Sequence, residues 1–445
     1  MGKVFGFASV LFGFFVLQLV FARSFYPTDY VGTWDFTNIA YITKNIVNVE
    51  RAGYPVGAYL EQCGVQYFQL YPNNIPYFLL LHTVFRLFGG LVADMHTIGI
   101  GLNIVMIDLA LLLGFFVVKK LTQRYTAGLL YLCLCMLTLP LLSYTAVYYT
   151  DTLTLPFPIG AYLLWLFAKE QFAQGNPRQA MAFCAGTAIV SALGMMLKLS
   201  AGFILIAIAI DAAVAFPWRR LLQAWAMLAC VFALVYFPLG ALCRNSDLLL
   251  PTDPEMYVPK LHWVMMGMNG NGGYCDDDYQ LTLSVPAEQR EDFVKQEILR
   301  RGKAYGLSGT IEHLREKLAF TWADGTYYSA IKLSWDQRGA SALDVLFDYR
   351  GAKFEYIAII CQGMLLLNLV CAAVTGMRLL QRNSKALPLL PCAIAVFGLF
   401  LFLCLWETRS RYLFNYVPIF LVMTVHSFVA FWEMLQEKRK HIRLR

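Results

Sequence analysis

The stretch Ile75-Pro76-Tyr77-Phe78-Leu79-Leu80-Leu81-His82-Thr83-Val84-Phe85-Arg86-Leu87-Phe88-Gly89-Gly90-Leu91 decides the topology of this chain. Counted as a membrane crossing, it sets Asp35 and the basic loop of Lys119, Lys120 and Arg124 on incompatible sides, because positive loops face the cytoplasm. It is shorter than the roughly 20 apolar residues that a spanning helix needs. It starts at Pro72 and Pro76 and carries His82 and Arg86, which suits a helix lying in the outer interface. Residues 23–97 then form one long external loop.

Outward from it, the 445 residues are 58% hydrophobic and 15% charged, against roughly 45–50% and 25% in ordinary globular domains. An all-α polytopic membrane protein with about ten transmembrane helices is expected. The crossings are Val4–Ala22, Ile98–Val118, Thr126–Ser143, Thr152–Ala168, Ala180–Leu197, Ala201–Phe216, Gln223–Leu242, Tyr356–Met377, Pro388–Leu405 and Leu413–Trp432. The net charge of +7 does not call for nucleic acid, because it gathers in short loops: Lys169 and Arg178; Arg219 and Arg220; Arg378, Arg382 and Lys385; and the tail from Lys438 to Arg445. That asymmetry predicts both termini in the cytoplasm of a multi-pass plasma-membrane protein, with the bilayer as its constant partner.

The first apolar run lacks a small-residue cleavage site before Arg23 and is read as an uncleaved anchor. Most of the eleven cysteines lie inside apolar runs and serve as small hydrophobes; Cys63, Cys243 and Cys275 fall outside them, too few for a paired set. The sequence holds no Asn-x-Ser/Thr acceptor, and with the compact design this favours a bacterial membrane. Three parts follow: a transmembrane catalytic module at 1–242 including the external loop 23–97, a soluble external insertion at 243–355, and C-terminal crossings with a basic tail at 356–445. Within the insertion Glu288–Gly302 and Ile311–Phe320 are expected to be helical and the remainder loop.

The candidate chemistry lies on the outer side. Asp35 opens a helix whose Ile39, Ile42, Ile46 and Val49 recur at spacings of three and four, and Asp151 immediately precedes the fourth crossing. Each acid alone reads as a helix cap; together, opening on one cavity, two carboxylates can divide proton removal and substrate orientation. Lys198, at the outer end of a helical hairpin, either snorkels to the interface or meets an anion. In the last external turn, Trp406-Glu407-Thr408-Arg409-Ser410-Arg411-Tyr412, the arginines suit phosphate oxygens, unless Glu407 simply pairs with Arg411. Tyr71, Asn73 and Asn74 form a plain turn or offer amides to sugar hydroxyls. The glycine-rich segment Met266–Tyr274 could close over an acceptor. Asp276, Asp277 and Asp278 are a solvated turn or a cation site. Asp108 and Asp211, acids inside apolar runs, invite the rival reading of a proton-coupled transporter or flippase of a lipid-linked sugar. A third possibility is a scaffold that docks partners through the insertion.

The order of these parts resembles the GT-C glycosyltransferases, in particular the aminoarabinose-transferase and protein-mannosyltransferase type. The pieces that carry the resemblance are Trp34-Asp35, Pro76-Tyr77 with Leu87-Phe88-Gly89, Tyr149-Thr150-Asp151, Met196-Leu197-Lys198 and Arg409-Ser410-Arg411-Tyr412 with Pro418. The resemblance implies a GT-C-like fold and a polyprenyl-phosphate-linked sugar donor. It implies a glycan, wall-polymer or protein acceptor, an aspartate base and an inverting transfer. Carried over, the base falls on Asp35, with Asp29 the other acid of that loop; the lipid phosphate falls on Lys198, Arg411 and Arg409; Asp151, Tyr149 and Glu407 are left near the substrates. Asp151 lacks a neighbouring second acid, so neither a metal nor another cofactor is expected.

Overall fold

The structure is a computed structural model that describes residues 2–28, 34–60, 66–251, 253–335 and 338–443. Its helices are α1 (Gly2–Ser24), α2 (Asp35–Arg51), α3 (Ile75–Phe88), α4 (Met95–Thr122), α5 (Tyr125–Leu137), α6 (Pro156–Ala173), α7 (Pro177–Leu197), α8 (Phe203–Ala215) and α9 (Trp218–Arg244). They continue with α10 (His262–Met266), α11 (Asp276–Leu283), α12 (Arg290–Trp322), α13 (Ser329–Trp335), α14 (Phe354–Leu380), α15 (Leu390–Leu405) and α16 (Val417–Arg443), joined by short helical turns. Among the described residues eight helical segments are long and apolar enough to cross a membrane, and α5 and α8 are shorter apolar helices. The eight fall on eight of the ten runs expected to cross, and α5 and α8 overlap the other two, Thr126–Ser143 and Ala201–Phe216. α3, at 14 residues, is of much the same length as α5 and α8, so length alone does not set it apart; its Tyr77, Phe78, Leu81 and Phe85 are buried, while Leu87 and Phe88 are exposed, and it packs on α2.

Burial separates a central layer from a lipid-facing one. In α16, Val417, Ile419, Phe420, Leu421, Val422, Met423 and Val425 are all buried, the pattern of a helix apolar on every side and enclosed by others. It packs on α4, α5 and α14, and Thr424 donates to Asn368 on α14 at 2.7 Å. α9 buries only Ala224 and Leu228 and exposes Leu222, Leu234, Phe237 and Leu242. Small residues set the closest approaches, as expected where packing rather than water drives association. At Gly114 an added Cβ would come within 2.1 Å of the Tyr131 hydroxyl, so α4 and α5 touch only because that position is glycine.

The basic loops gather at one end of the bundle. Lys120 pairs with Glu170 at 2.5 Å, Arg124 and Lys385 share Glu433 at 2.8 and 2.9 Å, and Lys169 pairs with Asp211 at 2.8 Å. Asp211, an acid inside an apolar run, is satisfied by Lys169 and by the Trp165 indole at 2.7 Å. Thr150–Leu153 lies at the opposite end of α6, about 27 Å away for 18 residues at 1.5 Å each.

The 243–355 segment is more helical than expected. α12 covers both anticipated helices and bends at Gly306, whose φ of 56° no other residue type adopts easily. α10, α11 and α13 occupy what had been read as loop. Asp276–Asp278 form the first turn of α11, where the helix dipole favours acids. Asp278 is turned inward, held by Arg301 at 2.6 Å, and Arg301 also takes Glu297 at 2.8 Å. Beside them His262 is buried, its Nδ1 meeting the Thr282 hydroxyl at 2.7 Å and its Nε2 unpartnered. Burial lowers its pKa to about 4, against a smaller opposing pull from Asp278. The unfolded chain therefore binds a proton there near pH 6.5 while the native state does not. Stability must fall as pH drops from 6.5 to 4.5, by about 2–3 kcal/mol. Glu297, held down at about 2 by its arginines, stays ionised across that window. Heat-unfolding midpoints at pH 7 and 4.5 check this, and His262→Asn should flatten the difference.

Candidate active site

The site is built where four distant segments meet. Trp34, with extended backbone, leads into α2, and Asp35 is its first residue. The N-cap position is taken by Trp34, and Asp35 lies one residue past it. The Tyr67 phenol donates to its Oδ1 at 2.5 Å and the Tyr149 phenol donates to Oδ2 at 3.2 Å. Asn74 engages both phenols: its Nδ2 donates to Tyr67 at 2.6 Å, and its Oδ1, 3.1 Å from the Tyr149 oxygen, shares the single proton of that phenol with Asp35. Burial, reinforced by the Asp35 charge, pushes both phenols up from the ordinary tyrosine range, so they remain donors.

Asp151 sits in the short helical turn Thr150–Leu153, two residues past the N-cap Tyr149. It is buried, with a side-chain exposure of 2%, and forms an ion pair with Lys198, which follows the last residue of α7. Arg411 joins the two acids: its Nη1 lies 3.4 Å from Asp151 Oδ2 and its Nη2 lies 3.7 Å from Asp35 Oδ2. The cap readings and simple snorkelling of Lys198 are thereby replaced by one charge cluster. Asp35 is the accessible member, its side chain 27% exposed. Arg411 Nε is buried without a partner, and an arginine donor is not left unmet at no cost. The Trp34, Tyr149 and Tyr412 rings lie 5.2–5.7 Å from the guanidinium carbon.

The last turn does not form the Glu407–Arg411 pair considered from sequence. Glu407 accepts from the Tyr412 phenol at 2.6 Å and faces Arg409 Nε at 3.9 Å. It is buried and its Oε1 has no hydrogen bond; burial raises its pKa, against Tyr412, Arg411 and Arg409. Arg409 donates to the Tyr328 hydroxyl. Tyr71 stands one ring beyond Tyr67, and Asn73 is exposed, its amide donating to Asn74 at 3.4 Å. Asp29 lies outside the described residues.

Sequence reading missed what the insertion contributes. Tyr327 and Tyr328 have φ of 50° and 66°, a left-handed pair that aromatic residues adopt only under constraint. Asp324 supplies that constraint, accepting from the backbone of Thr326 and Tyr328 at 2.9 and 2.8 Å and from the Ser410 hydroxyl at 2.6 Å. The following α13 brings the buried Lys332 ammonium to 3.9 Å from the Trp34 ring centre and 4.1 Å from that of Trp335. The only local signal was Asp324-Gly325-Thr326, an Asx-turn pattern. Backbone bonds fasten the insertion to the arginine turn: Glu407 N donates to Trp263 O and Thr408 N to Gly272 O, both at 2.8 Å. Gly267 lies so close that an added Cβ would meet the Trp406 backbone carbon at 2.7 Å. Neither backbone can yield cheaply, so Gly267→Ala should cost about 1–3 kcal/mol and detach the turn, measured as a lower unfolding midpoint and faster proteolysis near Trp406.

Fold and site together define an all-helical integral membrane protein with an ion cluster at one end of its bundle, reached through the half-buried carboxylate of Asp35. A family model described as a conserved hypothetical integral membrane protein matches residues 59–431, and the chain belongs to that family. No curated protein matches the sequence. Among solved structures, the archaeal oligosaccharyltransferase AglB from Archaeoglobus fulgidus, in complex with an inhibitory peptide and a dolichol-phosphate, is 13% identical with a TM-score of 0.48. The match covers 98% of this chain and 52% of that one, so the chain spans about half the neighbour's length.

Proposed function

We propose that this protein is a GT-C-like membrane glycosyltransferase that moves a sugar from a polyprenyl-phosphate donor to a cell-envelope acceptor on the outer face of a bacterial plasma membrane. The observation that carries this reading is Arg411, which spans Asp35 and Asp151 while one buried donor, Nε, stays unmet. That donor suits an oxygen of an incoming anion, and a phosphate ester at membrane depth is such an anion. The order of motifs along the chain supports the same class.

The charges balance through the proposed step. Asp35 takes the proton from an acceptor hydroxyl as its oxygen attacks the anomeric carbon. The bond from that carbon to the phosphate oxygen breaks, and the lipid phosphate leaves with the electron pair. The carboxylate loses one negative charge as the phosphate gains one, and Arg411 lies beside both. Attack opposite the leaving group inverts the anomeric centre. Preorganised cations aimed at the departing oxygen are worth roughly 3–4 kcal/mol per donor in comparable sites. Asp151, too buried to touch an acceptor, holds Lys198 and Arg411 in place rather than binding the sugar chain.

Purified protein in nanodiscs, given synthetic polyprenyl-phosphate monosaccharides and envelope glycans, tests this through release of free polyprenyl phosphate. The rival transporter reading rests on Asp108, an acid in a membrane helix whose buried Oδ1 faces the buried Gln18 amide. Liposomes in which the lipid-linked sugar changes leaflet without any phosphate release would establish that reading and end the transferase one.

A further inference from the structure

Resting on the transferase reading, we infer that the acceptor is a saccharide chain, and that it lies on an aromatic platform of Tyr71, Trp263 and Tyr274 leading outward from Asp35. Tyr67, which bonds the Asp35 carboxylate, has its ring centre 5.0 Å from that of Tyr71. Tyr71 stacks on Tyr279 with centres 5.8 Å apart and planes 8° apart, and meets Trp263 at 6.3 Å; Tyr274 lies 6.4 Å from Tyr279. The rings thus form a continuous path from the base to the surface.

Exposure rises along that path. Tyr279 is 5% exposed and serves as the backing, Tyr71 and Trp263 are half-buried, and Tyr274 is 40% exposed. An aromatic face left to water at a loop is not needed to close the core. The loop is shaped to present it: Gly270 and Gly272 adopt φ of 50° and 79°, and Gly272 O is anchored by Thr408 N in the arginine turn. Polar groups flank the rings. Tyr274 donates to the exposed Asp276 at 3.3 Å, and the Asn73 amide is exposed beside Tyr71.

That combination recognises sugars by elementary chemistry. A pyranose has an apolar C–H face that lies against an aromatic ring and a rim of hydroxyls that carboxylates and amides accept from and donate to. Extended peptides also dock on aromatic-lined surfaces; the carboxylate and amide beside these rings, on Asp276 and Asn73, match sugar hydroxyls and favour a saccharide. The platform therefore selects the acceptor class, while Asp35 and Arg411 act on the bond.

Saturation-transfer NMR on the full-length protein in nanodiscs tests the inference. The probes are a mixture of neutral, amino- and uronic-acid di- to tetrasaccharides, and separately a Gly-Ser-Thr peptide set. Saccharide protons should saturate and peptide protons should not. Tyr274→Ala should weaken saccharide binding about tenfold, the loss of one stacking contact at 1.4 kcal/mol per decade, whereas the exposed Tyr349→Ala elsewhere in the insertion should not. Saturation of the peptides, of neither set, or equal binding by Tyr274→Ala overturns the inference. The two readings fail separately: saccharide binding without any cleavage of lipid donors removes the transferase and leaves the platform. Phosphate release with an unchanged acceptor KM in Tyr274→Ala removes the platform and leaves the transferase.

Discussion

Asp35→Asn should lower sugar transfer by about 10²–10⁴-fold, the contribution of a positioned general base, while the protein still inserts and melts near the wild-type temperature. The carboxylate and the amide are nearly isosteric. The amide oxygen still accepts from one of the two phenols that hold the native side chain, and the 27% exposure lets water reach the rest. The loss should therefore lie in kcat, with donor KM little changed, because the interaction removed is made in the transition state. A variant that transfers at the wild-type rate would return the base role to another acid, with Asp29 the first to try.

The second large effect concerns the buried ion cluster. Asp151→Ala leaves Lys198 and the inner edge of Arg411 without their counter-ion in a site where Asp151 is 2% exposed. Removing one partner of such a pair costs roughly 3–5 kcal/mol, because the remaining charge is stranded away from water. Lys198→Met alone should cost a similar amount. Together, Asp151→Leu with Lys198→Met should cost much less than the sum, since the desolvated charges go at once. Heat-unfolding midpoints in one detergent, for both singles and the double, give the coupling. Additive losses would mean that Lys198 and Asp151 are not held as a pair, and the proposed positioning role of Asp151 would fall with them. Release of polyprenyl phosphate by the double variant should still be depressed, because the cation proposed to meet the phosphate is gone.

Much of this molecule follows from pattern. The ten apolar runs, the exclusion of Ile75–Leu91 as a crossing and the two helices now joined at Gly306 all reflect local hydrophobicity and glycine placement, which act over a few residues. Asp35, Asp151, Lys198 and Arg411 were visible as ionisable residues at the ends of apolar segments, where charge is costly without a partner. Which partner each takes was not visible. Glu407 and Arg411 are four apart and were a natural pair by spacing, yet the chain turns through Ser410–Tyr416 so that Arg411 faces the two aspartates and Glu407 faces Tyr412. Tyr67 carries no sequence mark of its role, because a phenol bonding a carboxylate 32 positions away leaves no periodicity. Lys332 and Asp324 were missed for the same reason; their segment, read as an external insertion, is bonded through Asp324 to Ser410 of the arginine turn.

The sequence by itself determined that the chain is helical and membrane-embedded, where its apolar helices fall, and which acids and bases stand at their ends. Burial of an apolar run and its length against the bilayer are local quantities, so composition and spacing suffice. Only the tertiary structure decided that Arg411 spans Asp35 and Asp151, that Asp151 is buried while Asp35 is open, and that Trp263, Lys332 and Tyr328 of the insertion complete the site. Ion pairs and ring contacts act over a few ångströms between residues more than a hundred positions apart, and only the packed helices bring such residues within that range.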